Sequence, residues 1–292
     1  MKNKLSLFAV PYVGWMSIFV VAPIIIMVVY AFSTAAGDFT LENFARMGTY
    51  TAVFTRSFKL AIIATLIALL IGYPVSYMLS KEGPQVQRIA MVLIMLPMWM
   101  NFLLRTYSWM SILENNGLLN QLFQQIGLID LYNQVAMHFA ADPAAYVPID
   151  HFQMIGTQGA VVLGMVYNYL PFMILPIYSV LVKLDHSLIE AARDLGASSV
   201  QVFCKVILPL SLPGVLSGIT MVFVPAVSTF VISRMLGGGS NLLIGDLIEL
   251  QFLGNSYNLN LGSAMSLVLM VIVLLCMSFT SSFDESEMEG VM

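Results

Sequence analysis

Leu184-Asp185-His186-Ser187-Leu188-Ile189-Glu190-Ala191-Ala192-Arg193-Asp194-Leu195-Gly196-Ala197-Ser198-Ser199-Val200-Gln201 is a polar interruption in a chain that is otherwise mostly apolar. It reads as helix, turn, helix. Ser187 and Glu190 have the S-x-x-E spacing of a capping box, so a helix is expected to begin there. The Ala191-Ala192 pair favours helix and leaves a flat, narrow surface. Gly196 suits the left-handed conformation that ends a helix, and Ser198 with Gln201 forms a second capping box at once. Leu188, Ala192 and Leu195, at i, i+4 and i+7, are expected on one face. Such a stripe fits a groove on a partner. It fits equally well against the chain's own bundle, and these residues alone do not separate the two.

On either side of this loop the chain is built for lipid. Of its 292 residues, 59% are hydrophobic and 10% charged, where a soluble domain has about 25% charged residues. Six apolar runs, at roughly 6–32, 59–79, 89–111, 155–181, 206–230 and 261–283, are long enough for the roughly 20 residues that a bilayer crossing needs. Lipid offers no partner for backbone polar groups, so each run is expected as a helix. No alternating ten-residue pattern suggests a β-barrel. The fold class is therefore all-α integral membrane, with six transmembrane helices in a single domain over 1–292. Lys2 and Lys4 precede the first run as in a signal peptide, but Leu5–Phe32 is far longer than a signal core, so this run is expected to stay as a span.

With the N-terminus inside, Lys2, Lys4, Lys81, Arg88, Lys183, Arg193 and Lys205 are cytoplasmic, seven of the twelve Lys and Arg residues, and segment 112–154 lies outside with neither. That satisfies the positive-inside rule, although Arg46, Arg56 and Lys59 fall on the outer side. Six spans return the C-terminus to the cytoplasm, where Asp284–Met292 is acidic and lacks the usual basic stop. In the outer segment, a short amphipathic helix is expected around Leu118–Ile126, between Gly117 and Gly127. A second outer stretch opens at Gly237-Gly238-Gly239-Ser240 and turns apolar at Leu242–Leu253, too short to span and so re-entrant or interfacial. The net charge of -4 gives no basic surface for nucleic acid. Cys204 falls in a cytoplasmic loop and Cys276 in an apolar run, so no disulfide is expected.

No G-x-x-x-x-G-K-[ST] stretch is present to cradle nucleotide phosphates. His138, His151 and His186 are all expected in loops and are not clustered, and no metal or nucleophile–base arrangement is recognisable. The chain is not expected to be an enzyme or to hold a cofactor of its own.

Glu190-Ala191-Ala192, then Gly196, then Leu208-Pro209 resembles the EAA loop of the binding-protein-dependent ABC importer permeases. That pattern is EAA, three residues, G, nine residues, I, one residue, LP. This chain has Val206 at the Ile position, with Ile207 following. The resemblance implies the type I importer permease (MetI-like) fold, with the loop as a coupling helix seated in a cleft of a separate ATPase. Glu190, Ala191, Ala192 and Gly196 would touch that ATPase, with Ser187, Asp194 and Leu195 beside them in the coupling set. ATP and Mg would be bound by the ATPase dimer, not by this chain.

Three stretches look like the spermidine/putrescine permeases of the PotB type: Pro97–Tyr107, Glu190–Ser198 and Gly237–Phe252. The similarity runs through most of the chain and breaks around His138–Phe152 and at the tail. It implies a heterodimer with a PotC-type permease, an external polyamine-binding protein, and a bacterial inner membrane. The mechanism implied is alternating access driven through the Glu190 loop.

A polyamine pathway needs carboxylates and aromatic faces. Asp246 and Glu249 are three apart and share a helical face. Trp99, Asn101, Tyr107 and Trp109 sit towards the outer half of the third run. Against this, interfacial Trp and Tyr are ordinarily belt residues, and the two carboxylates could face water or pair with Arg234. Arg105 is expected to snorkel or to pair. Two further readings stay open: the same fold carrying another small solute, such as an organic cation, a sulfonate or a metal chelate, or an ion-coupled secondary transporter. The latter often shows mid-membrane charges or inverted repeats, and neither is evident.

Overall fold

The computed structural model describes residues 10–139, 146–254 and 257–289. The basic N-terminus at Lys2 and Lys4 therefore lies outside the described residues, as does most of Ala140–Tyr146. Thirteen helical segments follow one another along the described chain. Helix α1 (Val10–Ala31) contains a π-helical turn at Ser17–Val21. Helix α2 (Glu42–Ser80) runs 39 residues, α-helical from Thr51 onwards. Next come α3 (Pro84–Trp99), α4 (Phe102–Leu113), α5 (Leu118–Gln125) and α6 (Leu128–Phe139). Helix α7 (Gln158–Leu181) leads to the short α8 (His186–Asp194), then α9 (Ser199–Leu210) and α10 (Leu212–Ser228). Helices α11 (Val231–Leu236) and α12 (Ile244–Leu253) precede α13 (Leu259–Glu289).

By length and hydropathy, four of these elements can cross a bilayer: α1, α2, α7 and Leu259–Ser278 of α13; two bent pairs bring the number to six if each is one span. The bent pairs correct two expectations. The run at 89–111 is not one helix. It breaks at Met100-Asn101, and the axis of Phe102–Gln125 stands at 89° to that of Pro84–Trp99. The Asn101 side chain accepts from the Leu103 and Leu104 amides and so starts a new helix. The run at 206–230 begins earlier, at Ser199, and bends by 60° at Ser211, just ahead of Pro213.

The core is the triangle of α2, α7 and α10. Small side chains let these helices approach where lipid gives no hydrophobic drive. Ala61, Ala64 and Ala68 of α2 are fully buried. A Cβ on Gly214 would lie 2.8 Å from the Pro176 carbonyl oxygen and 3.1 Å from the Ile177 Cα. Ser76 closes the seam between α2 and α7, its hydroxyl donating to the Gly72 and Ile174 carbonyls. Helix α1 packs along α13 with its remaining surface open. Its last carbonyls are taken up by the Asn43 amide, which donates to Ala31 and Ser33, and by Asn260, which donates to Tyr30 and Ser33.

Helices α5 and α6 form a hairpin, close to the amphipathic helix expected at Leu118–Ile126. The strap 146–155 lies against it. Asn133 accepts from the Ile149 amide and donates to the Ile149 carbonyl. Asn120 does the same with Phe152.

Candidate coupling and pathway sites

The loop after α7 folds as two capped helices, with one change of cap. Helix α8 starts at His186, and its cap is Asp185, whose carboxylate accepts from the Ser187 amide at 2.9 Å. The expected Ser187–Glu190 capping box is absent. An acidic cap two residues upstream takes the Ser187 amide, and Ser187 falls inside the first turn. The backbone and hydroxyl hydrogen bonds from Ser187 hold the Asp185 carboxyl below its ordinary value. At the far end Gly196 has φ +81. Its amide donates to Arg193 at 2.8 Å and the Ala197 amide donates to Ala192 at 3.1 Å, the paired bonds of a Schellman end. The second capping box is present: Ser198 Oγ accepts from Gln201 N, and Gln201 Oε1 accepts from Ser198 N at 2.8 Å.

The faces of α8 also differ from expectation. Ile189 and Ala192, together with Ala197, turn inward and pack on the core. Leu188 and Ala191 turn outward, and Leu195 is 89% exposed. Ala192 therefore leaves the expected stripe, and Ala191 takes its place at i+3 from Leu188. Ser187, Glu190, Asp194 and Gly196 are exposed around that strip. The result is a short apolar ridge rimmed by charge, fixed at both ends and carried on α9.

The link from this ridge into the bundle was not foreseen. Phe203, in a π-helical turn of α9, stands edge-on to Tyr77 at 5.3 Å and to Tyr73 at 5.9 Å between ring centroids. The Tyr73 hydroxyl and Ser211 Oγ are hydrogen bonded at 2.8 Å. Ser211 sits at the 60° bend into α10. Lys81 Nζ lies 3.8 Å from the Tyr77 ring centroid. A displacement of α8 and α9 thus meets α2 through an aromatic wedge and reaches α10 through the bend at Ser211, which the hydroxyl pair with Tyr73 ties to α2. The spacing of Tyr73 and Tyr77 at i, i+4 was the available signal.

The residues singled out for a pathway do not gather in one place. Trp99 ends α3 and is 73% exposed, while Asn101 is spent as the cap of α4. Tyr107 is exposed on α4. Trp109 is half-buried and packs edge-on to Tyr167 at 5.3 Å. Arg105 does not snorkel, and among the described residues it has no ion-pair partner: it is buried, its guanidinium 5.9 Å from the Phe102 ring centroid, with Nε and Nη1 lacking hydrogen-bond partners there.

Asp246 and Glu249 do share a face of α12, and both turn towards Arg234 on α11. Asp246 is fully buried; its Oδ2 accepts from the Leu243 amide at 2.9 Å and from the Ser233 hydroxyl. Arg234 Nε lies 3.9 Å from Asp246 Oδ1. Arg234 Nη1 donates to Glu249 Oε1 at 3.1 Å, and Nη2 donates to Oε2. The start of α12 is also anchored to α2, since the Ile244 amide donates to Ser57 Oγ at 2.7 Å.

Comparison with known proteins agrees with this architecture. The profile of the family described as binding-protein-dependent transport system inner membrane component matches residues 68–284. The spermidine/putrescine transport system permease protein PotB of Escherichia coli K12 is 37% identical over 272 residues, covering 90% of this chain and 92% of the relative. Among solved structures, a chain of a bacterial ABC transporter that imports the acidic polysaccharide alginate superposes with a TM-score of 0.74 at 16% identity, covering 96% of each chain. A chain of the inward-facing MetNI methionine ABC transporter superposes at 0.55 and 18% identity, covering 83% of this chain and 97% of that one. At these identities the two structures speak for the fold alone.

Proposed function

Since the chain belongs to the family of binding-protein-dependent transport system inner membrane components, we propose that it is the membrane-spanning permease subunit of an ATP-driven importer of spermidine and putrescine. The observation that carries this reading is the EAA-type loop folded as a capped, outward-facing ridge wedged into α2 through Phe203. The substrate class rests on the 37% identity to PotB along 90% of the chain.

The chain has no phosphate-cradling loop, so the energy must arrive from outside it. An ATPase dimer binding ATP and Mg supplies that energy, receiving Leu188, Ala191 and Leu195 in an apolar cleft with Glu190 at its rim. Ser187, Asp194 and Gly196 complete the contact, and Ala192 supports it from beneath. Closure of the ATPase pushes α8, and Phe203 passes the displacement to α2 while Ser211 passes it to α10. A second permease of the PotC type completes the pathway across the membrane, and an external polyamine-binding protein delivers the substrate. Trp99, Asn101, Tyr107, Trp109, Asp246 and Glu249 are the pathway candidates of this subunit. The chain sits in a bacterial inner membrane with both termini and α8 in the cytoplasm.

The test is substrate-stimulated ATP hydrolysis and uptake by the assembled transporter in proteoliposomes. Spermidine and putrescine are expected to stimulate both. Stimulation by another solute class, such as a sulfonate or a metal chelate, with none by either polyamine, would refute the substrate assignment. Uptake driven by an ion gradient without ATP would refute the importer itself.

A further inference from the structure

We infer that Arg234 is a tethered cation occupying an ammonium site, and that Glu249, backed by Asp246, receives an ammonium group of the substrate when Arg234 swings away. This rests on the polyamine reading above and names the residues that would act on it.

One carboxylate oxygen of Asp246 is left short of a partner. Asp246 is fixed, because its Oδ2 accepts from the Leu243 amide and the Ser233 hydroxyl. Its Oδ1 is buried and accepts no hydrogen bond, although it is aimed at Arg234 Nε 3.9 Å away. Buried polar atoms are ordinarily paired, so an acceptor position stands unfilled on the cation's side. Arg234 does not fill it while serving Glu249: its Nε–H is a free donor, but at 3.9 Å it stands beyond hydrogen-bond reach of Oδ1. A guanidinium is a flat fork, and both of its terminal nitrogens are committed to the two Glu249 oxygens. An alkylammonium is a compact charge with three donors that point out of one plane. It can serve Asp246 Oδ1 and Glu249 together, which the planar fork does not.

Charge and exposure favour the exchange. Two acidic side chains face one cation here. The Arg234 side chain is 48% exposed and that of Glu249 23%, whereas Asp246 is closed off. The cation is therefore the mobile partner, and an ion pair this exposed is weak. One turn beyond Glu249 on α12, Leu253 is 82% exposed and offers an apolar surface to the methylenes between ammonium groups. The alternative is a static tie between α11 and α12, and it makes opposite predictions.

The decisive variants are Arg234→Gln and Glu249→Gln in the assembled transporter in nanodiscs, with radiolabelled spermidine as probe and the external binding protein omitted. Arg234→Gln is expected to tighten binding by about threefold, the size of effect that removing a weak competing ion pair gives. Glu249→Gln and the double variant are expected to bind more weakly than wild type, and Arg234→Lys is expected to remain close to it. Unchanged or weaker binding in Arg234→Gln, or losses of one sign in both single variants, overturns the inference.

If wild type neither binds nor takes up spermidine, the polyamine reading falls and this inference with it. If wild type transports and only the Arg234 predictions fail, the polyamine reading stands.

Discussion

The Phe203 ring stands edge-on to that of Tyr77, with 5.3 Å between centroids. This pair joins the loop helices to the longest span, and it turns an exposed ridge into a lever. An aromatic edge-to-face pair contributes about 0.5–1.5 kcal/mol beyond its buried area. Phe203 makes two such contacts. Phe203→Ala should leave the exposed ridge of α8 intact and loosen its hold on α2. The expected outcome is normal co-purification of the ATPase, with substrate uptake per ATP hydrolysed reduced several-fold. Phe203→Tyr should retain most of the coupling.

Gly196 makes a separate prediction. Space is no obstacle there, since nothing lies within 4 Å of a Cβ, but φ is +81. An L-residue in that conformation costs about 1–2 kcal/mol. Gly196→Val should disturb the turn between α8 and α9 and reduce ATPase docking. Gly196→Asn should be milder, because Asn tolerates the left-handed region. Pull-down of the ATPase by the two variants orders them.

Gly214 tests the triangle of spans. Its missing Cβ faces backbone at Pro176 and Ile177, which cannot turn aside as a side chain does. Gly214→Ala should lower stability by about 1–3 kcal/mol. Gly72→Ala should cost less, because its Cβ would meet Met173 Cγ at 3.0 Å, a flexible side chain. Thermal unfolding in detergent compares them.

Asp185 gives a pH dependence whose sign follows from its lowered pKa. A carboxyl held below its ordinary 3.8 in the folded chain contributes stability that is complete above that value. The contribution is lost as pH falls through the lowered pKa. Protection of the Ser187 amide, its exchange rate relative to the intrinsic rate at the same pH, should stay constant through neutral and mildly acidic pH and should fall only in stronger acid. Asp185→Asn, which caps without titrating, should remove the acid-side change, and Asp185→Ala should give fast exchange throughout.

Much of this was legible in the sequence. The long apolar runs, Gly196 as a helix end, and Ser198 with Gln201 as a cap are local signals that tertiary contacts had no reason to override. The break at Asn101 was readable as well, because Asn is a strong cap and Pro97 lies one turn before it, but the apolar character of 89–111 masked both. The choice of Asp185 over Ser187 was a contest between two adequate caps two residues apart. The inward turn of Ala192 depended on what lay beneath α8, and the Phe203 wedge depended on an approach between residues more than a hundred apart. No pattern within a single segment encodes either. Asp246 and Glu249 were legible as a pair at i, i+3. That both face Arg234 depends on how α11 folds back on α12.

Reception of the ATPase by the Glu190 ridge is the centre of the proposed mechanism. It is tested most directly by co-purification of the ATPase with membrane-inserted Glu190→Lys chain, measured alongside ATP-dependent spermidine uptake. Reversing a charge at a partly desolvated rim is expected to cut both by at least about tenfold while the chain still inserts and melts as wild type. Undiminished co-purification and uptake in Glu190→Lys would contradict the account.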